Sequence, residues 1–303
     1  MSRSIPVFTS CTVLVLCGLL APARSQAADP PAPVHMIVTV EAHNGAGLPS
    51  LKDGDVIATQ GRQRLPVTGL TACQGENAGM ELFLVLDDAS SPSGWRLDDL
   101  RRFINSQPAM VSIGVGHMHN GMVETTAKFT LDHAVAAQSL RLPLGVGAAS
   151  PYQAVTDLIK HWEGHADRRE VVLITSGIDP SSGNPSENPY LDTAIADAQR
   201  EGIIVHTIYI PGVSGASGLH SGQGFLEQLS TETGGRTFVP VSSRADSLGS
   251  VLDDLARLLD HQYRVTLQPR SGDKAGLKDV KLVLETPNVG LLYAKRMYVT
   301  DGR

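Results

Sequence analysis

Cysteine is nearly absent from this sequence. Of three cysteines in 303 residues, Cys11 and Cys17 fall inside an amino-terminal apolar run, and Cys73 alone lies beyond it. A chain with one thiol outside that run has no internal disulfide framework, so its core must supply its stability. Cys73 reads as a half-buried apolar residue, with an intermolecular bridge as the other use of a lone thiol. Positive charge is also in deficit. Setting aside Arg3 and Arg24, which precede residue 29, takes 25 basic residues to 23 against 31 acids, and the net charge from −6 to −8. Such a chain has no general electrostatic attraction for nucleic acid or anionic lipid. Long apolar runs are lacking too. The stretch CTVLVLCGLLA is shorter than the roughly 20 residues that span a bilayer, and Pro22 and Arg24 close it. No internal repeat or low-complexity tract is present.

The motifs that announce an enzyme are missing as well. No G-x-S-x-G elbow occurs, since Gly215-Ala216-Ser217-Gly218 has the wrong spacing. There is no phosphate-binding G-x-x-x-x-G-K, and Gly145-Val146-Gly147 lacks the preceding dinucleotide-binding strand. His161 and His165 stand four apart, but Glu163 is displaced from the H-E-x-x-H position and Gly164 breaks the helix, so the pair reads as a solvated helix end. The run Gly116-His117-Met118-His119-Asn120 falls in an expected turn. Asp87 and Asp88 are adjacent, and adjacent residues of a strand point apart, so spacing alone does not make them a convergent acid/base pair.

What remains has a clear order. Residues 1–28, with an early arginine, an apolar centre and small residues at Ala23 to Ala27, read as a cleavable secretory signal. This implies an exported protein, periplasmic or secreted, that is not a transmembrane protein after cleavage. A β segment follows over 29–77, with short strands and Gly-containing turns. Residues 78–262 alternate strand and helix. The strands LFLVL at 82–86, VVLIT at 171–175 and IIVHTIYI at 203–210 are apolar on both faces, as central strands of a helix-covered parallel sheet are. Three stripes at helical spacing follow Trp95, Pro151 and Ser243, the last beginning with the capping-box spacing Ser243-x-x-Asp246. Pro211 to Gly224, with five glycines and three serines, reads as a loop before a short helix over 225–231. Strands return over 263–303. Neither terminal β segment is large enough to stand alone, so residues 263–303 are expected to pair with 34–70.

Beyond the first central strand lie Asp87, Asp88, Ser90 and Ser91. In an open α/β sheet the crevice beyond the carboxyl ends of the strands binds ligand. Strand, acidic-hydroxyl loop, amphipathic helix, edge hairpin and the later VVLITSG together resemble a von Willebrand factor A domain. The segment FLEQLSTETGGRTFVPV strengthens the resemblance, and the flanking VTV, GLPSLKDGDVIATQGRQRLPVTGL and HQYRVTL are similar to the exported acidobacterial group of these proteins. The resemblance implies a doubly wound, mostly parallel, Rossmann-like sheet, beside which the terminal strands form a small β-sandwich-like domain.

It also implies a metal-ion-dependent adhesion site, built from D-x-S-x-S, a threonine before the third helix and the aspartate of T-D-G. Asp87 and Ser91 fit the first and last positions of the first motif, but Ala89 stands between them. The threonine position falls at Ala149, with Ser150 the nearest hydroxyl, and the aspartate position is Ser176. Asp87, Ser91, Ser150 and Ser176 thus form a degenerate set for Mg2+ or another divalent cation, which takes hard oxygen ligands. Asp88 or Asp179 could compensate if the loops bend inward. The expectation is no cofactor, no catalytic residue, and a binding or adhesion module for a protein or cell-surface partner. A metal-dependent hydrolase at the same crevice and a structural envelope scaffold are the alternatives.

Overall fold

A computed structural model describes residues 31–43, 47–92, 95–182, 187–210, 216–240 and 246–300. The expected signal at 1–28 and the capping Ser243 lie outside the described residues.

The larger layer is a six-stranded sheet built around β5 (Met80–Asp87), all eight of whose residues are buried. Its neighbours are β6 (Val111–His119) and β8 (Arg169–Thr175), both parallel to it. The full order is β10 (Thr237–Phe238), β9 (Ile203–Tyr209), β8, β5, β6 and β7 (Met122–Thr130), with β7 alone antiparallel. The turn joining β6 to β7 is Asn120-Gly121, both at positive φ, which matches the twist of a two-residue hairpin.

The strand period divides the apolar side chains between two cores. Leu82, Leu84 and Leu86 face α1 (Leu97–Ser106), α2 (His133–Gln138) and α6 (Asp246–Asp260); Phe83 and Val85 face α3 (Pro151–Lys160), α4 (Leu191–Glu201) and α5 (Ala216–Thr233). Three helices therefore cover each face, which is why the central strands carry no polar alternation. This is the doubly wound α/β architecture implied by the resemblance. The expected loop over 211–224 is partly helix instead. α5 begins at Ala216, and Gly222 within it approaches the chain so closely that a Cβ would lie 2.5 Å from the Ser176 carbonyl oxygen.

The remaining strands come from both ends of the chain. β1 (Val34–Ala42) pairs with β11 (Gln262–Leu267) and β14 (Val289–Tyr293), and β11 pairs with β4 (Val67–Ala72). A second, three-stranded sheet joins β2 (Val56–Gln60), β3 (Gln63–Leu65) and β13 (Lys281–Leu284), and β12 (Gly276–Asp279) pairs with β15 (Arg296–Val299). Val38, Ala58, Leu65, Val265, Leu267 and Val299, all nearly inaccessible, fill the core between these sheets.

A buried polar network ties the two layers together. Glu170 is fully buried on β8 and accepts hydrogen bonds from His206 Nε2 at 2.8 Å and Arg168 Nε at 3.1 Å. The Arg236 N–H donates to His206 Nδ1, so that ring is a neutral imidazole with its proton on Nε2. Arg168 also donates to Gln262 and to the Leu259 carbonyl, and Gln262 donates to Thr39 on β1. Burial works to raise the Glu170 carboxyl, but the bonds from His206 and Arg168 outweigh it and hold the group below its ordinary value.

Candidate functional site

The connection after β5 returns on one face of the sheet and that after β8 on the other, so the switch point lies between these two strands. Two side chains bridge it. Thr175 Oγ1, at the end of β8, donates to Asp87 Oδ2 at 2.7 Å. The Ala89 N–H donates to Asp87 Oδ1 at 2.9 Å, and the Ser176 N–H also hydrogen-bonds this carboxylate. Asp87 is only 1% exposed. Its desolvation lifts the carboxyl pKa and outweighs the Thr175 and backbone bonds that pull it down.

The four residues singled out in the sequence divide into separate contacts. Asp87 and Ser176 adjoin through the Ser176 backbone, while the Ser176 Oγ accepts from the Ile178 N–H at 3.4 Å. Ser150 ends the loop before α3, but its hydroxyl does not cap that helix. It donates instead to Asp179 Oδ1 at 3.1 Å and lies 2.6 Å from the Ser181 hydroxyl. Asp179 further accepts from the Ser181 N–H and Asn188 Nδ2. Ser91 is exposed on the loop after β5. Thus Asp179 does turn inward, toward Ser150, and its oxygens are engaged by protein donors. Ala89, where the adhesion motif has a hydroxyl, is half-buried. Among the described residues no group of three or more His, Cys, Asp or Glu side chains is placed to hold a metal ion. The residues present do not fit a divalent cation of that kind.

Asp88 points to the opposite face and belongs to a different cluster. Arg141, in the loop after α2, donates Nη1 to Asp88 Oδ1 at 2.6 Å and Nη2 to Oδ2 at 2.7 Å. His117 Nδ1 lies 3.2 Å from Oδ1, and Glu124 lies 3.6 Å from the guanidinium. Burial alone would raise the Asp88 carboxyl, but the Arg141 bonds and the neighbouring His117 hold it below its ordinary value. Burial and the Arg141 charge keep His117 neutral, so Nδ1–H donates to Asp88. Its Nε2 is buried without a hydrogen-bond partner among the described residues.

The expected turn at 116–120 needs correction. His117 and His119 belong to β6, and only Asn120 enters the turn. Sequence reading also passed over Arg141 and Thr175. The signal for Thr175 was its place at the end of a buried strand next to β5; no sequence signal marks Arg141.

The clamp on Asp88 fixes a rim. The Gly145 N–H donates to the Asp88 carbonyl at 2.9 Å, and Asn120 and Ala148 exchange hydrogen bonds of 3.1 and 3.2 Å. Between these anchors Leu142, Leu144 and Val146 are 46%, 57% and 59% exposed, with Met122 at 62% on the adjoining hairpin.

No family model matches the sequence. No curated protein matches it either. Several solved structures are similar in fold. The vWF domain of the type V pili tip protein Mfa5 from Porphyromonas gingivalis is 13% identical over 59% of this chain and 94% of that domain, with a TM-score of 0.44. The PilB minor pilin from Streptococcus sanguinis is 16% identical over 65% of this chain, with a TM-score of 0.42, and the match spans 63% of that pilin. The SpRpn10 VWA domain is 13% identical over 58% of this chain and 94% of that domain, at a TM-score of 0.41.

Proposed function

We propose that this chain is an exported binding module of the von Willebrand factor A type, and that it holds a protein or cell-surface partner at the rim of the switch-point crevice without a metal ion. The observation that carries this reading is the anchored loop 141–148. Three large apolar side chains at alternate positions are held toward solvent by a loop whose polar groups are satisfied at both ends. A single exposed leucine is ordinary, whereas a contiguous apolar patch rimmed by polar residues marks an interaction surface. The crevice beside it is closed by internal hydrogen bonds, which favours recognition by surface over coordination through a cation.

A hydrolase at the same crevice is the weaker reading. The buried Asp88–His117 pair has the form of an oriented general base, yet its Nε2 meets no nucleophile among the described residues. The proposal is tested by immobilising the purified protein and capturing from an envelope extract, with and without chelator. A specific partner should be retained in chelator and lost from Leu144→Asp and Val146→Asp variants of unchanged melting temperature. Capture that persists in both variants, or that requires divalent metal, overturns it.

A further inference from the structure

At the opposite end of the α/β sheet the β layer splits, and part of the β1 edge is left without a paired strand among the described residues. β14 runs antiparallel to β1 from Ala42↔Val289 to Val38↔Tyr293. Continued in register it would set Ile37 against Ala294 and His35 against Arg296. It does not continue. Ala294 bridges to Thr233, the Lys295 N–H donates to the Glu232 carbonyl, and the chain turns away as β15 to pair with β12. Among the described residues, 34–37 of β1 are therefore paired with β11 on one side and with no strand on the other. Between the diverging strands lies a cleft of about 460 Å3, lined by His35, Ile37, Arg296 and Tyr298, and walled by Arg169 and Gln199 of the α/β layer.

The ladder phase shows which backbone groups face this cleft. Val40 N–H donates to His261 O on the β11 side, so even-numbered residues of β1 turn to β11, and His35 and Ile37 turn the other way. On β15 the Lys295 carbonyl accepts from Val280 N–H on the β12 side, so Arg296 and Tyr298 turn their backbones away from β12. Two strand edges thus border one opening.

Its charge is also uneven. Arg169 pairs with Glu201, Asp167 with Arg264 and Arg200 with Asp197. Arg296 is half-buried and has no ion pair among the described residues, Asp279 across the β12–β15 ladder included. Gln199, 3% exposed, donates Nε2 to the Glu232 carbonyl, while its Oε1 has no donor among the described residues. The outward carbonyls of the two edges favour an occupant with N–H groups, and Arg296 favours one with negative charge.

We infer that this cleft receives an extended, acidic segment of a partner polypeptide, which adds as a strand to the 34–37 edge of β1 with a carboxylate on Arg296. Main-chain bonds to an open edge supply affinity, and the charge supplies selectivity.

The test uses ten-residue random peptides displayed in a library and panned on the full chain, followed by anisotropy of labelled winners. Winners should be acidic and free of proline. Their affinity should fall at least about tenfold for His35→Pro, which deletes the N–H facing the cleft and no β1–β11 bond, and for Arg296→Glu. His35→Ala, which keeps the N–H, should bind within about twofold of the parent. If His35→Pro melts early, Arg296→Glu still decides the matter. No enrichment, binding that survives Arg296→Glu, equal loss in His35→Ala, or basic winners would each overturn the inference.

Discussion

Arg141 grips Asp88 through two parallel hydrogen bonds of 2.6 and 2.7 Å across 53 residues of sequence. The carboxylate is almost wholly buried and the guanidinium one-third exposed. Removing one partner of a buried pair leaves an uncompensated charge, at a cost of about 3–5 kcal/mol when both are buried. Water reaches Arg141, so Arg141→Ala should cost about 1–3 kcal/mol in urea unfolding. The same variant should release the 141–148 loop, read as faster amide exchange at Gly145. A stability change below about 0.5 kcal/mol would place the pair with ordinary surface ion pairs.

Asp87 and Asp88 should respond to pH in opposite senses. The Asp88 pKa lies below the ordinary carboxylate value of 3.8, so the native state binds its proton less readily than the unfolded chain. Its stabilisation is present above that value and is lost as pH falls through the folded pKa. The Asp87 pKa is raised, so the native state binds the proton more tightly, and stability contributed at low pH is lost as pH rises from 3.8 through the folded value. Asp87→Asn should flatten this fall and raise the melting temperature at pH 7, whereas Asp88→Asn should lower it. Thermal melts from pH 3 to 8 compare the two, and a parallel response of both variants would refute the assignment.

Gly164 sits against a carboxylate that cannot yield. Glu81 accepts the Trp162 indole N–H at 2.7 Å and the backbone N–H groups of His165 and Ala166 at 2.8 and 3.1 Å. A Cβ on residue 164 would lie 2.1 Å from the Glu81 carboxyl carbon. Gly164→Ala should therefore break the three-donor clamp and cost about 1–3 kcal/mol, measured by chemical denaturation. Glu81→Ala in the same background should cost little more, because the two changes act on one contact.

Much of the α/β layer could be read locally. Leu82 to Leu86 and Val171 to Thr175 declare buried strands because both faces are apolar, and the stripe from Leu248 to Leu259 declares a helix. What escaped the sequence depends on distant partners. The first half of α5 reads as loop because glycine disfavours helix interiors by about 1 kcal/mol, yet Gly222 is what allows that helix to reach the Ser176 carbonyl. Asp88 resembled a ligand until Arg141 was seen to neutralise it. Ser150 stands at the N-cap position of α3, but Asp179 takes its hydroxyl instead. Local pattern fixes which side chains are buried; it carries no record of which polar groups meet.

The crevice gives the last prediction. A divalent cation at Asp87 would have to displace the Thr175 hydroxyl and the Ala89 N–H, both of which now hold its two carboxylate oxygens. Millimolar magnesium or manganese should therefore leave the melting temperature unchanged against chelator, since a ligand that does not bind the native state adds no stability. The combination Ala89→Ser, Ala149→Thr and Ser176→Asp restores two hydroxyls and a carboxylate around the switch point. A metal-dependent rise of several degrees should then appear, because a second carboxylate supplies both charge and a hard oxygen ligand. A rise in the parent protein would show that the internal hydrogen bonds open for the ion. A folded triple variant that still ignores metal would show that the loops bearing Ala149 and Ser176 do not converge on Asp87.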